Sequence, residues 1–293
     1  MRCLLRFQQL EQHRHHKTLL HVRRTISTTS RTSSSYPPSV WFDSVYVLNL
    51  DRRQDRWRWV SDQLDGAGVA KHIVERIPAV EGSKLDATAL QKAGFLSKLG
   101  LLRCQSPDSE RIWGMDLNPG ALGCALSHVR MWARIAATVS EEKAVLIVED
   151  DSVFPSDFLL RLDARMQYVP TSWQLVYVSG LDTARRASML QVAPGVSRVP
   201  QMHRTTNCYL IRPSGARSLL ATCVPFTYQL DTQMTMQTAY DQRTGEAYSV
   251  TPPGAFTLQP PVVVQATRFG SDIQDLSGRD DASLAAEETD RLR

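Results

Sequence analysis

Continuous apolar runs alternate with stretches of helical period through most of this chain. Val45-Tyr46-Val47-Leu48-Asn49-Leu50 is short, apolar and β-branched, and it stops at the charged turn Asp51-Arg52-Arg53. That pattern reads as a buried strand feeding a helix, and Trp57, Val60 and Leu64 recur at helical spacing before the stop signals Gly66 and Gly68. A second strand is expected over residues 72–77, and Asp86 can cap a short helix ending at Gly94. Residues 97–118 show no period. Asn118-Pro119-Gly120 then opens a segment in which Leu122, Ala125, Val129, Trp132 and Ile135 follow the 3.6 repeat, with Pro119 suited to a first helical turn.

A second apolar run, Ala144-Val145-Leu146-Ile147-Val148, ends abruptly in Glu149-Asp150-Asp151. It reads as a central strand buried on both faces, with acids at its carboxyl end. Ser156 can cap a helix carrying Phe158, Leu159, Leu162 and Met166, which must finish before Pro170. Strands are expected over 173–178 and 206–211, and helices over 214–221 and after Asp231, the latter carrying Met234 and Ala239. From Thr251 the chain is proline-rich, and 260–265 reads as an extended or edge segment. The alternation predicts an α/β fold: a mostly parallel sheet with helices on both faces.

Composition divides the 293 residues further. Residues 1–40 hold seven Lys and Arg against the single acid Glu11, so the net charge of +4 belongs to this segment and the remainder is near neutral. Rich in Ser and Thr, the segment is expected to be a disordered tail with the composition of a mitochondrial transit peptide or a linker. The folded domain is expected over 41–276, followed by a polar tail over 277–293. The near-neutral body argues against nucleic acid as a partner, and no run approaches the roughly 18 apolar residues of a membrane span. Five scattered cysteines without C-x-x-C spacing argue against a disulfide scaffold or structural zinc, and Cys124 and Cys208 read as small buried hydrophobes.

Three adjacent carboxylates at a strand end repel one another, and two readings fit them. One is a divalent cation, Mg²⁺ or Mn²⁺, bridging Glu149 and Asp151 to a substrate phosphate in the crevice outside the strand ends. The other is a solvated acidic turn preceding a helix. Asn49, with the guanidinium groups of Arg53 and Arg56, suits a nucleotide and its pyrophosphate; Arg52, Arg53 and Arg56 also read as a solvated helix face, the preferred reading for Arg52.

Several of these segments together carry a resemblance. The run from Val45 to Arg53 with Arg56, then Gly120-Ala121-Leu122-Gly123-Cys124-Ala125-Leu126-Ser127-His128, then Leu146–Asp151, Asn207–Ile211 with Ser214-Gly215-Ala216, Asp231, and Gln265 followed by Ser271-Asp272-Ile273 occur in the order of glycosyltransferase family 25. The resemblance spans roughly 44–273. It implies a GT-A-like fold and metal-dependent inverting transfer of galactose or glucose from a UDP-hexose to a glycan, glycolipid or protein hydroxyl. It places Asn49, Leu50, Arg53, Arg56, Ser127, His128 and Asp150 at the nucleotide-sugar, Glu149 and Asp151 at Mn²⁺ or Mg²⁺, and Asp231 as the base. His128 is also readable as a packed hydrogen-bonding residue, and Asp231 as a helix cap. The family implies the ER or Golgi lumen. A Mg²⁺-dependent phosphohydrolase and a non-catalytic sugar- or partner-binding protein are the rival functions.

Overall fold

The computed structural model describes residues 41–112, 115–180, 184–266 and 268–269; the expected tails at 1–40 and 277–293 and the segment Ser271-Asp272-Ile273 lie outside the described residues. In chain order the elements are β1 (Ser44–Asn49), α1 (Gln54–Gly66), β2 (Val74–Pro78), α2 (Ala87–Lys92), α3 (Lys98–Gln105) and α4 (Pro119–Thr138). There follow β3 (Val145–Glu149), β4 (Ser152–Val153), α5 (Phe158–Met166), β5 (Leu175–Tyr177), α6 (Ala184–Met189), β6 (Gln191–Ala193) and β7 (Val196–Arg198). The last are β8 (Cys208–Ile211), α7 (Pro213–Cys223), α8 (Leu230–Met234), β9 (Thr238–Tyr240), β10 (Ala247–Ser249), β11 (Ala255–Leu258) and β12 (Val264–Gln265).

The main sheet has eight strands in the order β2-β1-β3-β8-β5-β11-β7-β6. Strands β1, β2, β3, β5, β11 and β6 point one way, while β8 and β7 run against their neighbours. Six of the eight strands thus share one direction, as the alternation predicts, although the two reversed strands make four of the seven neighbour pairs antiparallel, and the reversal of β8 has a consequence for the site. Its amino end lies beside the carboxyl end of β3, so the Glu149 backbone N–H donates to the Asn207 carbonyl at 2.8 Å.

Alternate residues of β1, β3 and β8 face opposite sides. Val45, Val47, Leu146, Val148, Cys208 and Leu210 pack with Val60 and Leu64 of α1 and Phe158, Leu162 and Met166 of α5 in one apolar core. On the other side Tyr209 meets Trp132 and His128 of α4. Helices cover both faces. α4 starts where expected because the Asn118 side chain accepts from the Ala121 N–H at 2.7 Å, with Pro119 at the first helical position.

Four local expectations are corrected. Residues 98–105 form a helix whose Leu99 and Leu102 are exposed, so no inward apolar stripe marked it. α5 follows Asp157 rather than Ser156, and Asp157 pairs with Arg161. The helix at Asp231 stops at Met234, and Ala239 lies in β9. The proline-rich segment contributes a strand, β11, inside the main sheet, while Val264–Gln265 pairs with β4 in a separate two-stranded ladder.

Candidate functional site

β1 and β3 are parallel neighbours with Leu48 opposite Glu149, so their charged ends emerge together. They open into a cleft of about 750 Å³ lined by Leu48–Arg52, Arg56, residues 79–84, Pro119, Gly120, Cys124, Ser127, Glu149, Asp150, Asp151 and Gln265. One wall is a backbone seam. A Cβ on Gly123 would sit 2.6 Å from the Val80 carbonyl oxygen, and one on Gly82 would strike the Pro119 carbonyl. Ser127 ties the same seam together by accepting from the Val80 N–H at 2.8 Å and donating to the Gly123 carbonyl at 2.7 Å.

The carboxylates at the cleft floor have distinct environments. Asp150 accepts from Asn49 Nδ2 at 2.7 Å and from Arg56 at 3.2 Å; burial still raises its carboxyl, against the pull of that guanidinium. Asp151 takes Gln265 Nε2 at 3.1 Å and lies 3.6 Å from Arg56. Its Oδ1 is buried without a hydrogen-bond partner. Burial and then the charges of Glu149 and Asp150 raise Asp151 well above the usual carboxylate range. Glu149 is also opposed by burial, but His128 at 3.2 Å, the Thr206 hydroxyl at 2.8 Å and Arg56 outweigh it and hold its carboxyl below the ordinary value. None of the three acids caps a helix, because α5 begins only after β4. An all-oxygen set with excess negative charge and an orphaned buried oxygen fits a hard divalent cation at Glu149 and Asp151.

Asn49 is held as an orienting residue: Arg76 Nε donates to its Oδ1 at 2.8 Å and its Nδ2 also reaches the Arg53 carbonyl at 2.8 Å. Of the residues expected at a donor, Asn49, Leu50, Arg56, Ser127 and Asp150 line the cleft, as do Glu149 and Asp151. Arg53 turns away to pair with Asp55, whose carboxyl that hydrogen bond draws down to about 2. His128 is fully buried behind Glu149, its Nδ1 2.7 Å from the Tyr209 hydroxyl, which also accepts from Trp132 Nε1 at 2.9 Å. In the metal-free protein its contacts are those of a packed, hydrogen-bonding residue.

Asp231 lies outside the cleft lining; burial pushes the Cys124 thiol well up, and the charges of Glu149 and then Asp231 add to that rise. Its carboxylate accepts from the Thr232 N–H at 2.6 Å and the Thr205 N–H at 3.4 Å, with Arg204 at 3.6 Å. Burial raises it and Arg204 limits the rise. It sits inside the first turn of α8, after the cap residue Gln229.

Sequence reasoning missed Arg76, Thr206 and the 79–84 wall. Arg76 is one charged position in a half-buried strand, and Thr206 reaches the site through the reversal of β8. Cys124, expected as a buried hydrophobe, instead borders the cleft; Cys208 is buried as expected.

The family model for glycosyltransferase family 25 (LPS biosynthesis protein) matches residues 42–234. The human inactive glycosyltransferase 25 family member 3 is 29% identical over 267 residues, covering 88% of this chain and 42% of that protein. Zebrafish procollagen galactosyltransferase 1 is 27% identical over 258 residues, covering 83% of this chain and 39% of its own length. The chain therefore spans about two fifths of the length of these relatives. A crystal structure of an active-site mutant of LgtC aligns with a TM-score of 0.36 at 9% identity, covering 84% of this chain and 96% of that one. With the family's segments in order and most of their charged residues gathered at one cleft, the chain belongs to glycosyltransferase family 25.

Proposed function

We propose that this cleft binds a UDP-hexose, carrying galactose or glucose, together with Mn²⁺ or Mg²⁺ on Glu149 and Asp151, and transfers the hexose with inversion to a glycan, glycolipid or protein hydroxyl. The observation that supports it best is the buried, unpartnered Asp151 Oδ1 within a carboxylate cluster at the carboxyl ends of parallel strands. When bound, the cation supplies positive charge to the departing diphosphate. Asn49 fixes the orientation of Asp150, and Arg56 lies against both aspartates, opposing the rise that burial imposes on their carboxyls. Asp231 is the base in this reading: it is not committed to the cluster, and burial raises it toward a useful proton affinity.

A second reading, a family member that binds sugar without turnover, is favoured by relatives named inactive in human and mouse and by Arg56 already engaging both aspartates. Incubation with UDP-hexoses and Mn²⁺ separates the readings. UDP release supports transfer or slow donor hydrolysis, orthophosphate supports a phosphohydrolase, and binding without either supports the second reading. Asp151→Asn is expected to abolish most Mn²⁺-dependent UDP binding by calorimetry while the protein stays folded; wild-type affinity in this variant would sink the cation assignment. Asp231→Asn is expected to slow transfer roughly 10²- to 10⁴-fold with UDP binding preserved. An unchanged rate would return Asp231 to a structural role.

A further inference from the structure

Cys124 and His128 stand one helical turn apart on the same side of α4, and Glu149 ends the strand that faces them. The ligand atoms of these three side chains all lie within 4.8 Å of one another, the one such group among the described residues. His128 Nε2 and Glu149 Oε1 are 3.2 Å apart, close to the about 3.3 Å that two ligands at about 2.05 Å span on a tetrahedral metal.

The ring behind them is anchored as a metal-binding imidazole usually is. With the proton on Nδ1, His128 donates to the Tyr209 hydroxyl oxygen, whose other lone pair accepts from Trp132, leaving Nε2 free to ligate. Cys124 and Glu149 border the cleft, so a fourth position is open to solvent or ligand.

We propose that Cys124 Sγ, His128 Nε2 and Glu149 Oε1 form a site for a borderline transition metal of the Zn²⁺ or Co²⁺ class, with its open position in the cleft. Thiolate and imidazole disfavour Mg²⁺ and Mn²⁺, so this site differs in selectivity from the oxygen set of Glu149 and Asp151. It goes beyond the donor reading and does not rest on it. In the metal-free protein Nε2 donates to Glu149 and the Tyr209 hydroxyl donates to Nδ1; binding releases the thiol proton to solvent through the cleft, moves the imidazole proton from Nε2 to Nδ1 with the Tyr209 hydroxyl turning to accept it, and replaces the His128–Glu149 hydrogen bond by two bonds to the metal. Because Glu149 belongs to both sets, Zn²⁺ at this site competes with the hard cation.

The test uses the full chain carrying Cys3→Ser, since Cys3, His13, His15 and His16 offer other ligands. One equivalent of Co²⁺ is expected to produce a near-ultraviolet thiolate-to-cobalt charge-transfer band that Zn²⁺ displaces, and Zn²⁺ is expected to protect Cys124 from alkylation. Adding Cys124→Ser, a nearly isosteric change at a partly exposed position, should abolish the band without lowering the melting temperature. Absence of the band before that change, or its persistence after it, overturns the site. Mn²⁺-dependent UDP binding measured on the same samples keeps the outcomes separate. A cobalt band without UDP binding upholds this site and removes the donor reading, whereas UDP binding without a band does the reverse.

Discussion

The two faces of the central sheet use alternate residues of the same strands and are built by different rules. Toward α1 and α5, Val47, Val148 and Leu210 meet Val60, Leu64 and Phe158, and contact is a matter of volume. Toward α4, their neighbours carry a hydrogen-bonded chain from Trp132 through Tyr209 and His128 to Glu149. Each member of that chain is a partner for the next, so position rather than volume is constrained. The apolar face supplies stability; the polar face determines where Glu149 stands at the cleft floor.

Adjacent residues of β8 give the sharpest contrast. Leu210→Ala removes a fully buried side chain from the apolar face and should cost about 2–5 kcal/mol, read by urea denaturation, with UDP affinity of the folded protein unchanged. Tyr209→Phe keeps the ring but strips Trp132 Nε1 and His128 Nδ1 of their shared partner, at about 1–3 kcal/mol. This smaller loss should be accompanied by weakened cation-dependent UDP binding, which calorimetry would detect. If Leu210→Ala weakened binding as strongly as Tyr209→Phe, the division between the faces would not hold.

His203 sharpens the comparison further. It packs edge-on against Tyr177, with ring centroids 4.6 Å apart, and burial lowers its imidazole to about 4. The unfolded chain therefore binds the proton that the native state refuses between about pH 6.5 and about pH 4, and stability falls as pH drops through that window. From about pH 7 to about pH 5 the expected loss is about 1–2 kcal/mol. His203→Gln should flatten the slope of melting temperature against pH, and an unchanged slope would assign it to other groups.

What could be read from the sequence follows from what periodicity encodes. β1 and β3 were legible because unbroken apolar runs end at charged turns, and α4 because its apolar positions repeat over about four turns. The charged turns at their ends marked Asn49, Arg56 and the three acids as candidates, and it was the family resemblance that placed them at one donor site. Strand direction leaves no such mark, so the reversal of β8 and the contact of Thr206 with Glu149 were hidden. β11 is four residues within a proline-rich stretch and offers too short a pattern. Cys124 fell outside the inward apolar stripe of α4, and its approach to Glu149 depends on how that helix lies across the sheet.

The glycine seam between residues 79–84 and α4 has a consequence for reading variant data. Gly82 and Gly123 bring main chain against main chain, and any added carbon there meets carbonyl groups rather than yielding side chains. If the cleft works as proposed, a saturation library scored on cation-dependent UDP binding would rank both positions beside Glu149, although neither carries a functional group. Scoring the same library for soluble yield would part the two kinds of intolerance: replacements at the glycines should vanish from the soluble fraction, while Glu149→Gln should remain in it with the proposed cation-dependent UDP binding lost.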